Sequence, residues 1–86
     1  MNINQLIEIV KNKIEKNIKC DNVIIEDKTF LHKKHVSHDK KKFHIKITIT
    51  SHFLRNKNKI QSTKEIYKVL EEELTNYIHS IQILIN

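Results

Sequence analysis

A chain of 86 residues has room for one small domain, which buries only about 60–65% of the surface its unfolded form exposes. Its apolar residues, 38% of the total, are dominated by isoleucine in regular patterns, and this excludes general disorder despite the 30% charged content. The formal charge of +6 attracts nucleic acid, anionic surfaces or an acidic partner without choosing among them; no apolar run approaches the roughly eighteen residues of a membrane span; and a single cysteine, Cys20, excludes an intrachain disulfide.

Ile3, Leu6, Ile7, Val10, Ile14 and Ile18 recur at three- and four-residue steps with Glu and Lys between them, which predicts a helix with one buried face and not a signal peptide. The chain is therefore expected to begin with this helix and to be soluble in a reducing compartment. With no glycine or proline in the chain, turns must be read from Asn, Asp, Ser and Lys clusters. Asn22 to Glu26 is rich in β-branched residues and puts Val23 and Ile25 on one side of a short strand. The apolar pattern then lapses from Asp27 to Phe43, where His32, His35, His38 and several lysines predict a flexible His/Lys-rich loop, about residues 28–43.

From His44 to Ser51 the sequence HIKITITS alternates Ile45, Ile47 and Ile49 with Lys46, Thr48 and Thr50, the period-two signature of a strand with one buried face. Arg55 to Lys59 reads as a polar connection. Ser62 followed by Glu65 has capping-box spacing and predicts a helix start there. Ile66, Val69, Leu70 and Leu74 give that helix its apolar face, and Glu71, Glu72 and Glu73 are expected to oppose the dipole near its C-terminal end. IHSIQILI, Ile78 to Ile85, is a third strand, with His79, Ile81, Ile83 and Ile85 on one side by parity. A helix between the second and third strands implies a crossover, hence an α+β domain with a mixed sheet covered on one face.

With this order of elements the chain resembles the BolA family along nearly its whole length. HIKITITS is similar to the family's HFKVTIVS-type strand, Tyr67 follows Ser51 at the family spacing, and IYKVLEEELTNYIHSIQI is similar to the LVYEALAEELxxxIHALxI block. TFLHKKHVSH stands where many members carry a SHLHAGHAG-like loop. The resemblance implies an αββααβ fold related to the class II KH arrangement, with a three-stranded mixed sheet. It also implies a non-enzymatic adaptor that pairs with a monothiol glutaredoxin. In such a pair a 2Fe-2S cluster is held by the glutaredoxin cysteine, a glutathione thiol and two ligands from the BolA side, with none expected in the isolated protein. One ligand is the histidine of the C-terminal IHS tripeptide, here His79; the other is a loop residue, His32 counting forward from Thr29 or His35 counting back from His44. Two departures stand out: the family's Arg-His-Arg is Ser62, Thr63 and Lys64 here, and the glycine after the second strand is Asn56.

An imidazole ligand in place of a thiolate raises the potential of an iron–sulfur cluster, and roughly three quarters of unperturbed imidazoles are neutral, the ligating form, at pH 7. His44, at a strand start, and His52, at a strand end, are expected to be structural or exposed, His38 a solvated loop residue, and Cys20 a small, partly buried side chain. A zinc site built from His32, His35 and His38 lacks the four preorganised ligands zinc requires. The competing function is nucleic-acid binding through Lys40, Lys41, Lys42, Lys57, Lys59 and Lys64, although the chain has no GXXG backbone clamp. Lys57, Lys59 and Lys64 are the candidate contact residues for a partner or a nucleic acid. No phosphate-binding loop or nucleophile elbow is present to suggest an enzyme. The expected state is a monomer or weak homodimer in the cytoplasm, with the nucleus or the mitochondrion as alternatives, and with no membrane partner.

Overall fold

The computed structural model describes residues 1–29 and 42–86. The expected His/Lys-rich loop, and with it His32, His35 and His38, lies outside the described residues apart from its two ends.

Helix α1 (Ile3–Asn17) begins at a reciprocal cap: the Asn2 side chain accepts from the Gln5 amide at 2.9 Å, and the Gln5 side chain accepts from the Asn2 amide at 3.0 Å. Two otherwise orphaned N-terminal amides are thereby satisfied. Leu6, Val10 and Ile14, one helical turn apart, are fully buried, as the three- and four-residue spacing requires. Strand β1 (Asn22–Asp27) buries Val23 and Ile25, and β2 (Phe43–Thr50) buries Ile45, Ile47 and Ile49. The strand order is β1-β2-β3, with β2 antiparallel to β1 and parallel to β3 (Ile78–Ile85). The helices lie on the face carrying the isoleucines, where Leu54, Ile66, Leu70 and Ile78 complete the core. Each such aliphatic side chain contributes about 1.5–3 kcal/mol on burial. On the opposite face Ile24, Thr48 and Leu84 stand side by side across the sheet.

The parallel pair needs a long connection, and its helices differ from the sequence reading. Helix α2 (His52–Arg55) occupies part of the expected polar connection. Ser51 ends the strand by capping α2: its hydroxyl accepts from the Leu54 amide at 3.1 Å and donates to the Lys19 carbonyl at 2.6 Å. Helix α3 (Lys59–Val69) starts at Asn58, whose side chain accepts from the Gln61 amide at 2.9 Å, and not at Ser62. Ser62 is instead buried inside the helix and donates to the Leu54 carbonyl at 2.6 Å, tying α3 to α2. The chain breaks at Leu70 (φ −103°, ψ 17°), and a separate helix α4 (Glu71–Asn76) follows. Glu71, Glu72 and Glu73 therefore sit in a first turn, where negative charge favours the helix dipole, and not at a C-terminal end. Asn56, in the family's glycine position, is right-handed (φ −78°, ψ −9°), so this turn makes no demand for left-handed backbone.

Candidate functional site

The parallel ladder between β2 and β3 is irregular at its start. Phe43 is opposite Ile78, and the next residue of β2, His44, is opposite Ser80. One residue of β3, His79, is thus left over, the arrangement of a β-bulge, which re-aims the side chain it displaces. The expected parity of His79 with Ile81, Ile83 and Ile85 fails for this reason. Ile78 is buried, His79 is exposed, and the inward alternation resumes at Ile81.

Beneath the exposed ring lies a second imidazole. His44 is 4% exposed, and its ring centroid is 4.9 Å from that of His79, with the planes tilted by 52°. His44 Nδ1 and Ser80 Oγ are hydrogen-bonded at 2.5 Å. The residue directly after the bulge therefore fixes the ring against which His79 rests. The reading of His44 as structural is correct, but its place beside His79 went unread. The signal available was the start of HIKITITS, which a parallel pairing sets beside the start of IHSIQILI.

Both ends of segment 30–41 are tied to this corner of the sheet. The Thr29 hydroxyl accepts from the His44 amide at 3.2 Å and donates to Asp27 Oδ1 at 2.5 Å, and the Lys28 amide donates to the His44 carbonyl at 2.7 Å. At the other end the Phe43 amide donates to the Tyr77 carbonyl at 2.9 Å, and Lys42 Nζ donates to the Thr75 carbonyl at 3.3 Å. The chain carrying His32 and His35 thus departs from and returns to the sheet end that presents His79. Among the described residues no group of three or more His, Cys, Asp and Glu side chains is placed to hold a metal.

The candidate lysines gather elsewhere. Lys57 and Lys59, with Arg55 and Thr63, line a cavity of about 280 Å³ whose other wall is Ile83, Leu84 and Ile85. Lys64 is exposed on α3 and does not line it. Lys57 is 4.4 Å from the centroid of the Phe53 ring and 3.5 Å from Glu65 Oε1. The cavity adjoins the far end of β3, about four residues or 13 Å along the strand from His79. Cys20 is a half-buried free thiol; burial, reinforced by the charges of Glu15 and Asp21, raises its pKa and favours the unreactive thiol form.

Fold and site together define a small α+β binding module that presents an imidazole at the edge of a sheet. The chain belongs to the BolA family: the profile described as "BolA-like protein" matches residues 14–86. It is 34% identical over 74 residues, 86% of this chain and 69% of the relative, to "DNA-binding transcriptional regulator BolA" of Haemophilus influenzae. Among solved structures it is similar to the BolA domain of SufE1 from Arabidopsis thaliana, with a TM-score of 0.81 at 22% identity, covering 99% of this chain and 94% of that one. BolA1 from Arabidopsis thaliana gives a TM-score of 0.76 at 23% identity, covering 93% and 88% respectively. Proteins of this family are non-catalytic adaptors and regulators.

Proposed function

We propose that the protein is an adaptor that binds a monothiol glutaredoxin and co-ligates a 2Fe-2S cluster through His79. The observation that carries this reading is the exposed imidazole at the irregular start of β3, held over the buried, hydrogen-bonded ring of His44. A two-iron cluster takes four protein-type ligands, and at this end of the sheet the described residues offer one accessible ring, that of His79. Three ligands must then come from elsewhere: the glutaredoxin cysteine, a glutathione thiol, and His32 or His35 from the segment anchored at Thr29 and Lys42. Substituting imidazole for thiolate raises the cluster's potential and suits transfer or sensing better than permanent storage.

The test is to mix the protein with a monothiol glutaredoxin, glutathione, ferrous iron and sulfide, and to record visible absorption and circular dichroism of the heterodimer. A coloured complex is expected, with His79→Ala markedly changing its spectrum while the far-ultraviolet signal of the apo-protein stays as in the wild type. An identical visible spectrum for His79→Ala would falsify the assignment.

A second reading, nucleic-acid binding, draws on the name of the Haemophilus influenzae relative, which supports it more directly than it supports a cluster. Lys57 and Lys59 with Arg55 around one cavity, and exposed Lys64 nearby, would supply phosphate contacts. Each phosphate neutralised adds about 0.9 to the slope of log affinity against log salt on duplex DNA. Reversing Lys57 and Lys59 should therefore flatten the salt dependence by about two contacts, and an unchanged slope would remove these lysines from the interface.

A further inference from the structure

Among the described residues β3 ends the sheet order β1-β2-β3, and its outer edge is a row of backbone groups that no other described strand pairs. Which groups point outward follows from the last rung of the ladder. The Asn86 amide donates to the Ile49 carbonyl at 2.8 Å and the Asn86 carbonyl accepts from the Ser51 amide at 3.2 Å, so both groups of Asn86 face β2. A parallel ladder alternates residue by residue. The amides and carbonyls of Ile85, Ile83 and Ile81 therefore face away from the sheet. Ile83, Leu84 and Ile85 are also the residues that wall the cavity shared with Arg55, Lys57, Lys59 and Thr63. Successive side chains of a strand alternate between its faces, so a cavity lined by three consecutive residues is one that borders the strand's edge or its end, and both are open here to Arg55, Lys57, Lys59 and Thr63.

The cavity thus combines an open strand edge, an apolar wall that includes Leu84 at 46% exposure, and a cationic rim. The native devices that blunt an edge, such as proline or a charged side chain on the strand itself, are missing from Ile81 to Ile85, which reads IQILI.

We infer that the edge of β3 from Ile81 to Ile85 receives an extended acidic peptide segment of a partner protein, added as a fourth strand. Its backbone pairs with Ile83 and Ile85, its apolar side chains lie against Leu84, and its carboxylates meet Arg55 and Lys59. Strand addition supplies affinity through main-chain hydrogen bonds and specificity through alternate side chains. Each outward residue offers both a donor and an acceptor. A peptide answers both, whereas a phosphodiester backbone has acceptors only and would leave the Ile83 and Ile85 carbonyls unpaired. Lys57, shared with Glu65 and the Phe53 ring, is the least available of the three cations. The inference is independent of the cluster reading, since it uses the other end of the strand.

The full chain is titrated with an end-capped peptide alternating valine and glutamate, with its lysine-for-glutamate counterpart, and with a single-stranded oligonucleotide. Amide resonances and hydrogen exchange are followed throughout. Expected are shifts and slowed exchange at Ile83 and Ile85 with the acidic peptide, and weaker binding of the basic one. The double variant Arg55→Glu, Lys59→Glu, with both positions exposed, should weaken the acidic peptide about tenfold, as for two partly exposed ion pairs. Three results overturn the inference: no change at the Ile83 and Ile85 amides, preferential saturation of this edge by the oligonucleotide, or protection of the same amides by self-association without any peptide.

Discussion

His79 is the residue that the parallel pairing of β2 with β3 leaves over, and its freedom depends on neighbours that are not free. Ser80 follows it immediately and holds His44 Nδ1 at 2.5 Å, and the His44 ring in turn supports that of His79. Ser80 is exposed, and its hydroxyl bonds the His44 ring and not that of His79. Removing its hydroxyl should therefore disturb orientation more than stability. Ser80→Ala is expected to cost about 1 kcal/mol of folding free energy and to move the ring resonances of both His44 and His79. It should weaken the glutaredoxin-bound cluster by less than about tenfold, because outer-shell partners that touch a ligand directly cost 10- to 100-fold and Ser80 acts at one remove. Ring resonances of His79 identical to wild type would show that His44 does not position it. The position of His79 in the IHS tripeptide was legible from the family resemblance. Its outward aim was not, because parity counting assumes an uninterrupted period of two and one surplus residue reverses it.

The helical crossover shows how two equally good local signals compete. Ser62 with Glu65 and Asn58 with Gln61 share the same spacing of a capping residue and an amide or carboxylate three positions on. The chain starts α3 at Asn58, which places Ser62 in the interior beside α2. Ser62 thus becomes a bridge between helices, which no pattern within one helix could reveal. The two serve differently, so their variants should separate. Asn58→Ala loses an exposed cap and should cost about 1 kcal/mol. Ser62→Ala leaves a small void and removes the hydroxyl that ties α3 to the Leu54 carbonyl, which keeps the Lys57 amide at 3.1 Å, and should cost about 1–2 kcal/mol. Urea unfolding of the two variants checks this, and an Asn58→Ala variant as stable as the wild type beside a loss at Ser62 would return the helix start to Ser62. By contrast α1, β1 and β2 were legible throughout, since Leu6, Val10 and Ile14 keep a helical period, and Ile45, Ile47 and Ile49 a strand period. The break at Leu70 carries no glycine or proline, and the apolar period of Ile66, Leu70 and Leu74 runs straight through it.

On the scale of the whole molecule, one lysine with two carboxylates joins the N-terminal helix to the last helix of the crossover. Lys13 Nζ of α1 lies 2.6 Å from Glu73 Oε2 and 3.4 Å from Glu72 Oε2 of α4. Glu73 is only 3% exposed, so its carboxylate relies on this cation. The hydrogen bond to Glu73 is the main cause that raises the Lys13 pKa above its ordinary 10.5; desolvation opposes it, and the charges of Glu73 and Glu72 add to it. A group whose pKa is higher folded than unfolded binds its proton more tightly in the native state. Its contribution to stability is then fully present below 10.5 and is lost as pH rises through the folded value. Above that range the neutral amine leaves Glu73 buried without its cation, and the junction of α1 with α4 should loosen. A fall in stability in alkali would not by itself identify Lys13. Lys13→Arg provides the comparison, because a guanidinium keeps its charge throughout this range. Urea midpoints measured at neutral pH and again above pH 10.5 should fall more steeply for the wild type than for Lys13→Arg. Equal falls in the two proteins would mean that the α1–α4 ion pair adds nothing to stability that depends on the Lys13 proton.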